Sequence, residues 1–262
     1  MAKACQLFSG SSGNSIFISD KTTKILVDTG VSAKRLEIAL SEIDESADAL
    51  SAIFITHEHS DHVQGLKVLA GRYGIPVFTS EKIAEKLWKD GRLSDKIPVN
   101  RLDKSIQLGN IEAVPFLNSH DSVECYGYRF NLSDGRSVSV CTDTGYITSA
   151  AKKTMKGSDL VYLESNHEIM MLENGPYPYI LKQRILSRMG HLSNADCAEF
   201  AKELLESGTT RLVLSHLSRE NNYPEIARQT TLSVLNAAGF EEDRDYRLAV
   251  SAPENESNPI IL

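Results

Sequence analysis

Long apolar runs are missing from this 262-residue chain. No stretch approaches the ~18 consecutive apolar residues of a membrane span, and the first twenty residues hold no apolar leader core, so neither a membrane helix nor export is expected. Cysteine is scarce: Cys5, Cys125, Cys141 and Cys197 stand far apart with no C-x-x-C pair. This spacing argues against a disulfide framework and a zinc ribbon, and predicts reduced, buried thiols in a cytoplasmic protein. An excess of basic charge is also absent, with 28 Lys and Arg against 35 Asp and Glu and a net charge of −7. That balance argues against a protein that coats nucleic acid non-specifically. A nuclease stays open, because two bound divalent cations would bring the total to about −3 and gather positive charge where a phosphate docks. No internal repeat, low-complexity tract or linker divides the sequence.

Hydrophobic content of 41% is enough for a full core. One domain over 1–262 is expected, since α/β and sandwich folds of ~200–250 residues often stay undivided. Short β-rich runs recur at 15–19, 24–28, 52–56, 76–79, 105–108, 111–117, 126–132, 137–142, 160–164 and 212–215. Gly109-Asn110 and Asp134-Gly135 mark hairpins. Helical patterns fall at about 32–42, 63–73, 80–89, 148–156, 181–189, 194–206 and 224–238. Pro224 suits the first turn of the last helix, and Ser193-Asn194-Ala195-Asp196 reads as a cap. Early strands form hairpins and later ones alternate with helices. An α/β (α+β) fold with two sheets face to face and helices outside fits this mixture.

The informative segment is His57-Glu58-His59-Ser60-Asp61-His62, directly after the apolar run 52–56. Four metal-capable side chains within six residues, on the loop leaving a buried strand, point to a metal site. His57 and His59 can share one face. Adjacent Asp61 and His62 join them around one ion only awkwardly, and a second neighbouring ion resolves the crowding. Further candidates sit at strand ends: His120 after 111–117, Asp143 after 138–142 and His216 after 211–215. The C-terminal mouth of a strand is where α/β-type folds gather their sites. Hard and borderline ligands without a thiolate favour a two-metal hydrolytic centre holding Zn2+ or Mn2+.

These residues resemble the metallo-β-lactamase superfamily, whose H-x-H-x-D-H signature residues 57–62 meet in full. The resemblance implies a four-layer αβ/βα sandwich. It also implies that His57, His59 and His120 hold one metal, that Asp61, His62 and His216 hold the other, and that Asp143 bridges them. Asp28, followed by Thr29-Gly30, looks like the strand-end aspartate that supports the ligand loop from behind. The opening Phe8-Ser9-Gly10-Ser11-Ser12-Gly13-Asn14-Ser15, together with Gly190-His191-Leu192-Ser193-Asn194 and Glu164-Ser165-Asn166-His167, looks like the YycJ/WalJ-type bacterial metallo-hydrolases, relatives of ribonuclease Z. That similarity implies 5′-to-3′ exonuclease action on nucleic acid, DNA ahead of RNA, and a part in DNA repair.

Beside the resemblance, the residues offer their own case for a phosphate. His191 precedes the capped helix, so a phosphate would lie between its imidazole, the helix N-terminus at Ser193 and the metals. The Gly/Ser-rich turn 9–15, with Ser12 and Asn14, can aim N–H groups at an anion or simply form a tight loop. His167 either supports the site from behind or packs structurally. In the mechanism expected from these residues, Asp61 orients the attacking water and takes its proton, while His191 donates to a phosphate oxygen or the departing alkoxide. Two other readings remain. A hydrolase of a small thioester or lactone would use the same metals, and a non-catalytic binding module would leave the complete ligand set unexplained. The basic runs Lys82, Lys86, Lys89, Arg92, Lys96 and Lys182, Arg184, Arg188 are read as solvated helix faces. The stretch 170–180 reads as a packed surface loop, with a lid or an oligomer contact as alternatives.

Overall fold

The computed structural model describes residues 2–255 and 259–262, so the ends of the expected 1–262 domain include positions outside the described residues. Among the described residues, two seven-stranded mixed sheets lie face to face. The first takes β1 (Lys3–Phe8), β2 (Ser15–Asp20), β3 (Thr23–Val27), β4 (Ala52–Phe54), β5 (Val77–Thr79) and β6 (Val99–Arg101) in chain order. The second takes β7 (Ile106–Leu108), β8 (Ile111–Leu117), β9 (Tyr126–Leu132), β10 (Ser137–Cys141), β11 (Leu160–Glu164), β12 (Arg211–Ser215) and β13 (Arg247–Val250). The last strand, β14 (Ile260–Ile261), returns to the edge of the first sheet beside β1. Each sheet is built the same way. Antiparallel hairpins come first (β1–β3 and β7–β10), and parallel strands follow (β3–β6 and β10–β13).

Alternation along the strands explains why both faces of each sheet are covered. In β2, Ile16 and Ile18 point between the sheets and Phe17 points outward. The inter-sheet core joins these to Ile25, Val27 and Phe54 of the first sheet and to Tyr128, Phe130, Val138 and Tyr162 of the second. Phe54 stacks on Phe78 at 4.9 Å and meets Tyr128 and Phe130 edge-on at 5.5 and 5.4 Å. Its truncation to Ala would cost about 3–5 kcal/mol.

The outer layers are helical. Against the first sheet pack α1 (Ala33–Glu42), α3 (Leu66–Tyr73) and α4 (Glu81–Lys89), the short α2 (Ser60–Val63) preceding α3. Over the second lie α5 (Ser149–Met155), α8 (Asn194–Glu206) and α9 (Pro224–Ala237), with α6 (Ile169–Asn174) and α7 (Tyr179–Leu186) near the mouth of the parallel strands. Ser32, Ser80, Thr148 and Ser193 cap four of these helices, each hydroxyl accepting a backbone N–H, and Pro224 opens α9. Among the described residues no helix is long and apolar enough to cross a membrane.

The structure corrects several boundaries. β1, β6, β13 and β14 have no counterpart among the expected strands; three are edge strands, where the apolar signal is thin, and β1 is the neighbour of one. The expected helix 63–73 divides at Gly65, and Asp61 and His62 fall in α2 rather than on an open loop. The expected helix 181–189 becomes Tyr179–Leu186, because Ser187 leaves the helical conformation and turns the chain toward His191. A Cβ on Gly190 would lie 2.1 Å from Ile185 O, so only glycine permits that turn. The 170–180 stretch is not a plain loop: α6 fills its first half.

Candidate metal centre

The parallel halves of both sheets send their C-terminal ends to one mouth, and the polar residues of the chain converge there. Asp28 follows β3, His57 follows β4, His120 follows β8, Asp143 follows β10, Glu164 ends β11 and His216 follows β12. Three of these strand-end residues hold left-handed backbone, with φ of 63° at Asp28, 60° at Asp143 and 57° at His216. A non-glycine residue in that region costs roughly 1–3 kcal/mol, a strain that clusters at functional sites. The tight turn redirects each side chain from the sheet face into the mouth.

Two triads of candidate ligands form there. His57, His59 and His120 bring donor atoms within 4.8 Å of one another, as do Asp61, His62 and His216. Asp143 lies between them, its Oδ2 3.3 Å from His62 Nε2 and its Oδ1 3.6 Å from His216 Nε2 and 3.8 Å from His120 Nε2. The backs of the imidazoles are tied down. His62 Nδ1 donates to Asp28 Oδ2 at 2.8 Å, His120 Nδ1 to Gly190 O at 3.1 Å, and His216 Nδ1 to Glu164 Oε1 at 2.9 Å. Thr56 Oγ1 donates to Asp28 Oδ2 at 2.8 Å and lies 3.0 Å from His57 Nδ1, whose N–H it can accept. These bonds fix the tautomers so that the Nε2 atoms face inward, the arrangement that holds metal-binding histidines.

The donor set fits a cation. His216 Nε2 and Asp143 Oδ2 are buried without a hydrogen-bond partner, a costly condition that a positive ion between them relieves. Electrostatics agree. Burial opposes a charge on His216, but Asp143, Asp61 and Glu164 outweigh it and carry its pKa up to about 10. Burial favours a neutral Asp143, but His216 and His62 hold it well below the usual carboxylate range. Protons thus stand where cation charge would otherwise be, so metal binding displaces them.

Above the cluster opens a cavity of about 230 Å³. Its floor is His59, Asp61, His120, Asp143, His191 and His216; its walls include Ser11, Asn166, Tyr177, Arg184 and Ser218. A larger hollow of about 430 Å³ lies between β1 and β14 of the first sheet and β11 to β13 of the second, but its described lining holds no histidine or carboxylate. Size alone therefore does not locate the site.

The other sequence candidates fall differently. His191 reaches the cavity, and its Nδ1 donates to Glu164 Oε1 at 2.8 Å, leaving Nε2 free. His167 does not join the cluster. Its backbone pairs with Ser193, its Nδ1 is buried without a partner, and burial lowers its pKa to about 4. The phosphate cradle expected of Ser12, Asn14 and Ser193 takes another form, since none of the three lines the cavity. Ser193 is the cap of α8, and two of the first three N–H groups of that helix are already used: Asn194 N–H by His167 O and Asp196 N–H by Ser193 Oγ. Asn14 clasps Gly10 and reaches His62 Nε2 at 3.1 Å, while Ser12 accepts from the exposed Arg219. The Gly/Ser turn is a buttress: Ser9 Oγ accepts His216 N–H at 2.8 Å and Ser15 Oγ donates to Asp28 O at 2.9 Å. Gly30 is required beside it, as a Cβ there would sit 1.8 Å from Asp61 O.

Three residues named in the sequence without a site role of their own gain one here. Glu164, fully buried, accepts from both His191 and His216 and from the Thr144 and Leu192 backbone. Its signal was a carboxylate ending the apolar run 160–163. Burial pushes its pKa up, but the two imidazoles prevail and hold it at about 2. Asn166 donates to His216 O at 2.9 Å. Arg184 is exposed on α7, as expected, but it also lines the cavity and grips Asp121 through two nitrogens.

The comparisons agree with this architecture. Residues 23–217 match the family description "Beta-lactamase superfamily domain". The chain is 38% identical over 252 residues to the exodeoxyribonuclease WalJ of Streptococcus pneumoniae serotype 2, strain D39, covering 95% of this chain and 93% of that protein. It is 37% identical over 253 residues to the exodeoxyribonuclease YycJ of Bacillus anthracis, covering 95% and 94%. The metallo-β-lactamase fold protein YhfI from Bacillus subtilis shares the fold, with a TM-score of 0.71 at 18% identity over 97% of both chains. With its sandwich, its histidine and aspartate cluster and these near-full-length similarities, the chain belongs to the metallo-β-lactamase-fold branch of the β-lactamase superfamily.

Proposed function

We propose that the chain is a metal-dependent phosphodiesterase, a single hydrolase domain that removes nucleotides from the 5′ end of DNA, with a part in DNA repair. The observation that carries this is the pairing of a complete dinuclear donor set with near-full-length similarity to two exodeoxyribonucleases. His57, His59 and His120 would hold one divalent ion, Zn2+ or Mn2+, Asp61, His62 and His216 the other, and Asp143 would serve both. Two such ions polarise a phosphodiester and lower the pKa of bound water toward neutrality.

The chain's own groups do the rest. Asp61 lines the cavity and is partly exposed. Burial acts to raise its pKa, but His62 and His216 keep it ionised and able to orient a water and accept its proton at a carboxylate oxygen. His191, held at Nδ1 by Glu164, presents Nε2 to donate a proton to the departing oxygen. Arg184, two of its nitrogens held by Asp121, stands at the wall with its third free to donate to a non-bridging phosphate oxygen.

The test is cleavage of 5′-phosphorylated and 5′-hydroxyl duplex DNA, labelled at either end, by protein reloaded with Mn2+ or Zn2+, with metal content measured in parallel. Stepwise mononucleotide release from the 5′ end, lost in Asp61→Ala, is the expected result. Metal-loaded protein that leaves DNA intact but hydrolyses a thioester or lactone would move the assignment to a small-substrate hydrolase.

A further inference from the structure

Arg188 lays its guanidinium over the ring of Tyr146, 4.1 Å from the ring centroid, and both side chains are exposed. Among the described residues Arg188 has no carboxylate partner. Arg35, Arg72, Arg101, Arg136, Arg184 and Arg228 are each ion-paired. In a chain of net charge −7, an exposed guanidinium without a carboxylate partner is suited to an anionic ligand.

The pair stands where three site-bearing segments join. Ser119, the residue before His120, donates its hydroxyl to Arg188 O at 2.8 Å, and its own carbonyl accepts Gly145 N–H at 2.8 Å. Gly145 lies two residues after Asp143, and Arg188 three before His191. A Cβ on Gly145 would meet the Arg188 backbone at 2.4 Å, so the two segments are in direct contact. Met189, 47% exposed, extends the ledge, its Sδ 3.7 Å from Ser119 Oγ. A ring carrying a guanidinium over one face thus stands exposed beside a thioether on the segments that hold His120, Asp143 and His191, and the ring's other face is the one left for a base.

We propose that this ledge binds an unpaired nucleotide flanking the scissile phosphodiester, with its base on Tyr146 and Met189 and its phosphate on Arg188. The inference rests on the nuclease reading and adds to it that the strand is held single at the cavity. Stacking on an aromatic ring is sequence-tolerant because every base has a π-face, and a cation beside the ring tracks the backbone. A duplex end must therefore open before it is cut, and single-stranded or frayed ends are preferred to G·C-clamped ones.

Fluorescence anisotropy with metal-loaded protein and a cleavage-resistant phosphorothioate thymidine oligonucleotide tests this, beside an abasic strand of equal length. Tyr146→Ala is expected to weaken thymidine binding about ten-fold and leave abasic binding unchanged. Tyr146→Phe should bind as the wild type does, and Arg188→Ala should weaken binding of both strands. Equal loss on the two strands in Tyr146→Ala, or no loss on either, overturns the proposal. Wild-type protein that binds neither strand overturns the nuclease reading with it, whereas wild-type protein that degrades DNA beside an unaffected Tyr146→Ala overturns only the ledge. Tyr146→Leu, which removes the ring but keeps apolar bulk, supplies the same contrast should Tyr146→Ala not fold.

Discussion

Asp28 and Glu164 play comparable parts in the two sheets: each stands at the C-terminal end of a buried strand and turns its carboxylate beneath the cavity. Asp28 accepts Thr56 N–H at 2.9 Å and Thr56 Oγ1–H and His62 Nδ1–H at 2.8 Å, so it braces one stretch of chain and one imidazole. Glu164 receives two imidazoles on Oε1 and two backbone N–H groups on Oε2, tying together the segments after β10, before α8 and after β12. The first sheet delivers its candidate ligands in one contiguous motif, and a single brace aligns them. The second delivers them one per strand, and a shared carboxylate must do the aligning.

The largest effect comes from the residue lying between the two sides. Asp143→Ala should abolish metal binding and turnover together, since it removes the carboxylate facing both triads. His191→Ala should keep its metal and lose roughly 10²–10⁴-fold in kcat. Metal analysis and single-turnover kinetics on the two variants check this, and equal metal loss in both would refute the division of roles.

The two braces themselves give the next contrast. Replacing a group behind a metal ligand typically costs 10–100-fold in affinity or activity. Asp28→Asn should show that loss as weaker metal affinity, recovered by excess metal, because its one imidazole belongs to the ligand motif. Glu164→Gln should stay impaired at saturating metal, because it also releases His191. Recovery of both variants at high metal would erase the difference between the braces.

Legibility of the sequence follows the same divide. The H-x-H-x-D-H run was readable because its ligands are neighbours, and Asp28 entered through the family resemblance, as the aspartate that ends an apolar strand. Two sheets face to face with helices outside fitted the hairpins giving way to strand–helix alternation, and the four-layer order came with the family resemblance. Glu164 and Arg184 were not readable, because a carboxylate at a strand end and a cation on a helix are ordinary until the fold brings them to the cavity. Ser193 misled for the opposite reason. Its capping signal was correct, but a cap spends the N–H groups that a phosphate would need.

Acidity probes the side braced by Glu164. His167 has a folded pKa of about 4 against an ordinary 6.5, so between those values the unfolded chain binds a proton that the folded one does not. Its contribution to stability is complete above pH 6.5 and is lost as pH falls toward 4. Glu164, at about 2, stays ionised through that window. From pH 7.5 to 5 the metal-free protein should lose about 2 kcal/mol that His167→Gln does not lose. Denaturant unfolding of both proteins at the two pH values measures this, and parallel losses would show that burial of His167 is not the cause.

The smallest expected effect separates a cap from a ligand. Ser193 Oγ accepts Asp196 N–H at 3.1 Å and donates to Asp196 Oδ2 at 2.7 Å, which leaves it no proton for a phosphate. Ser193→Ala should therefore lower stability by about 1 kcal/mol while KM for an oligonucleotide stays at the wild-type value. Ser193→Asp, which restores a capping oxygen and adds negative charge, makes the contrast sharper. As a cap it recovers most of the lost stability, and as part of a phosphate cradle it would repel the strand and raise KM. A raised KM in both variants would return Ser193 to the cavity and make the start of α8, rather than the α7 wall with Arg184, the place where the second sheet meets the phosphate.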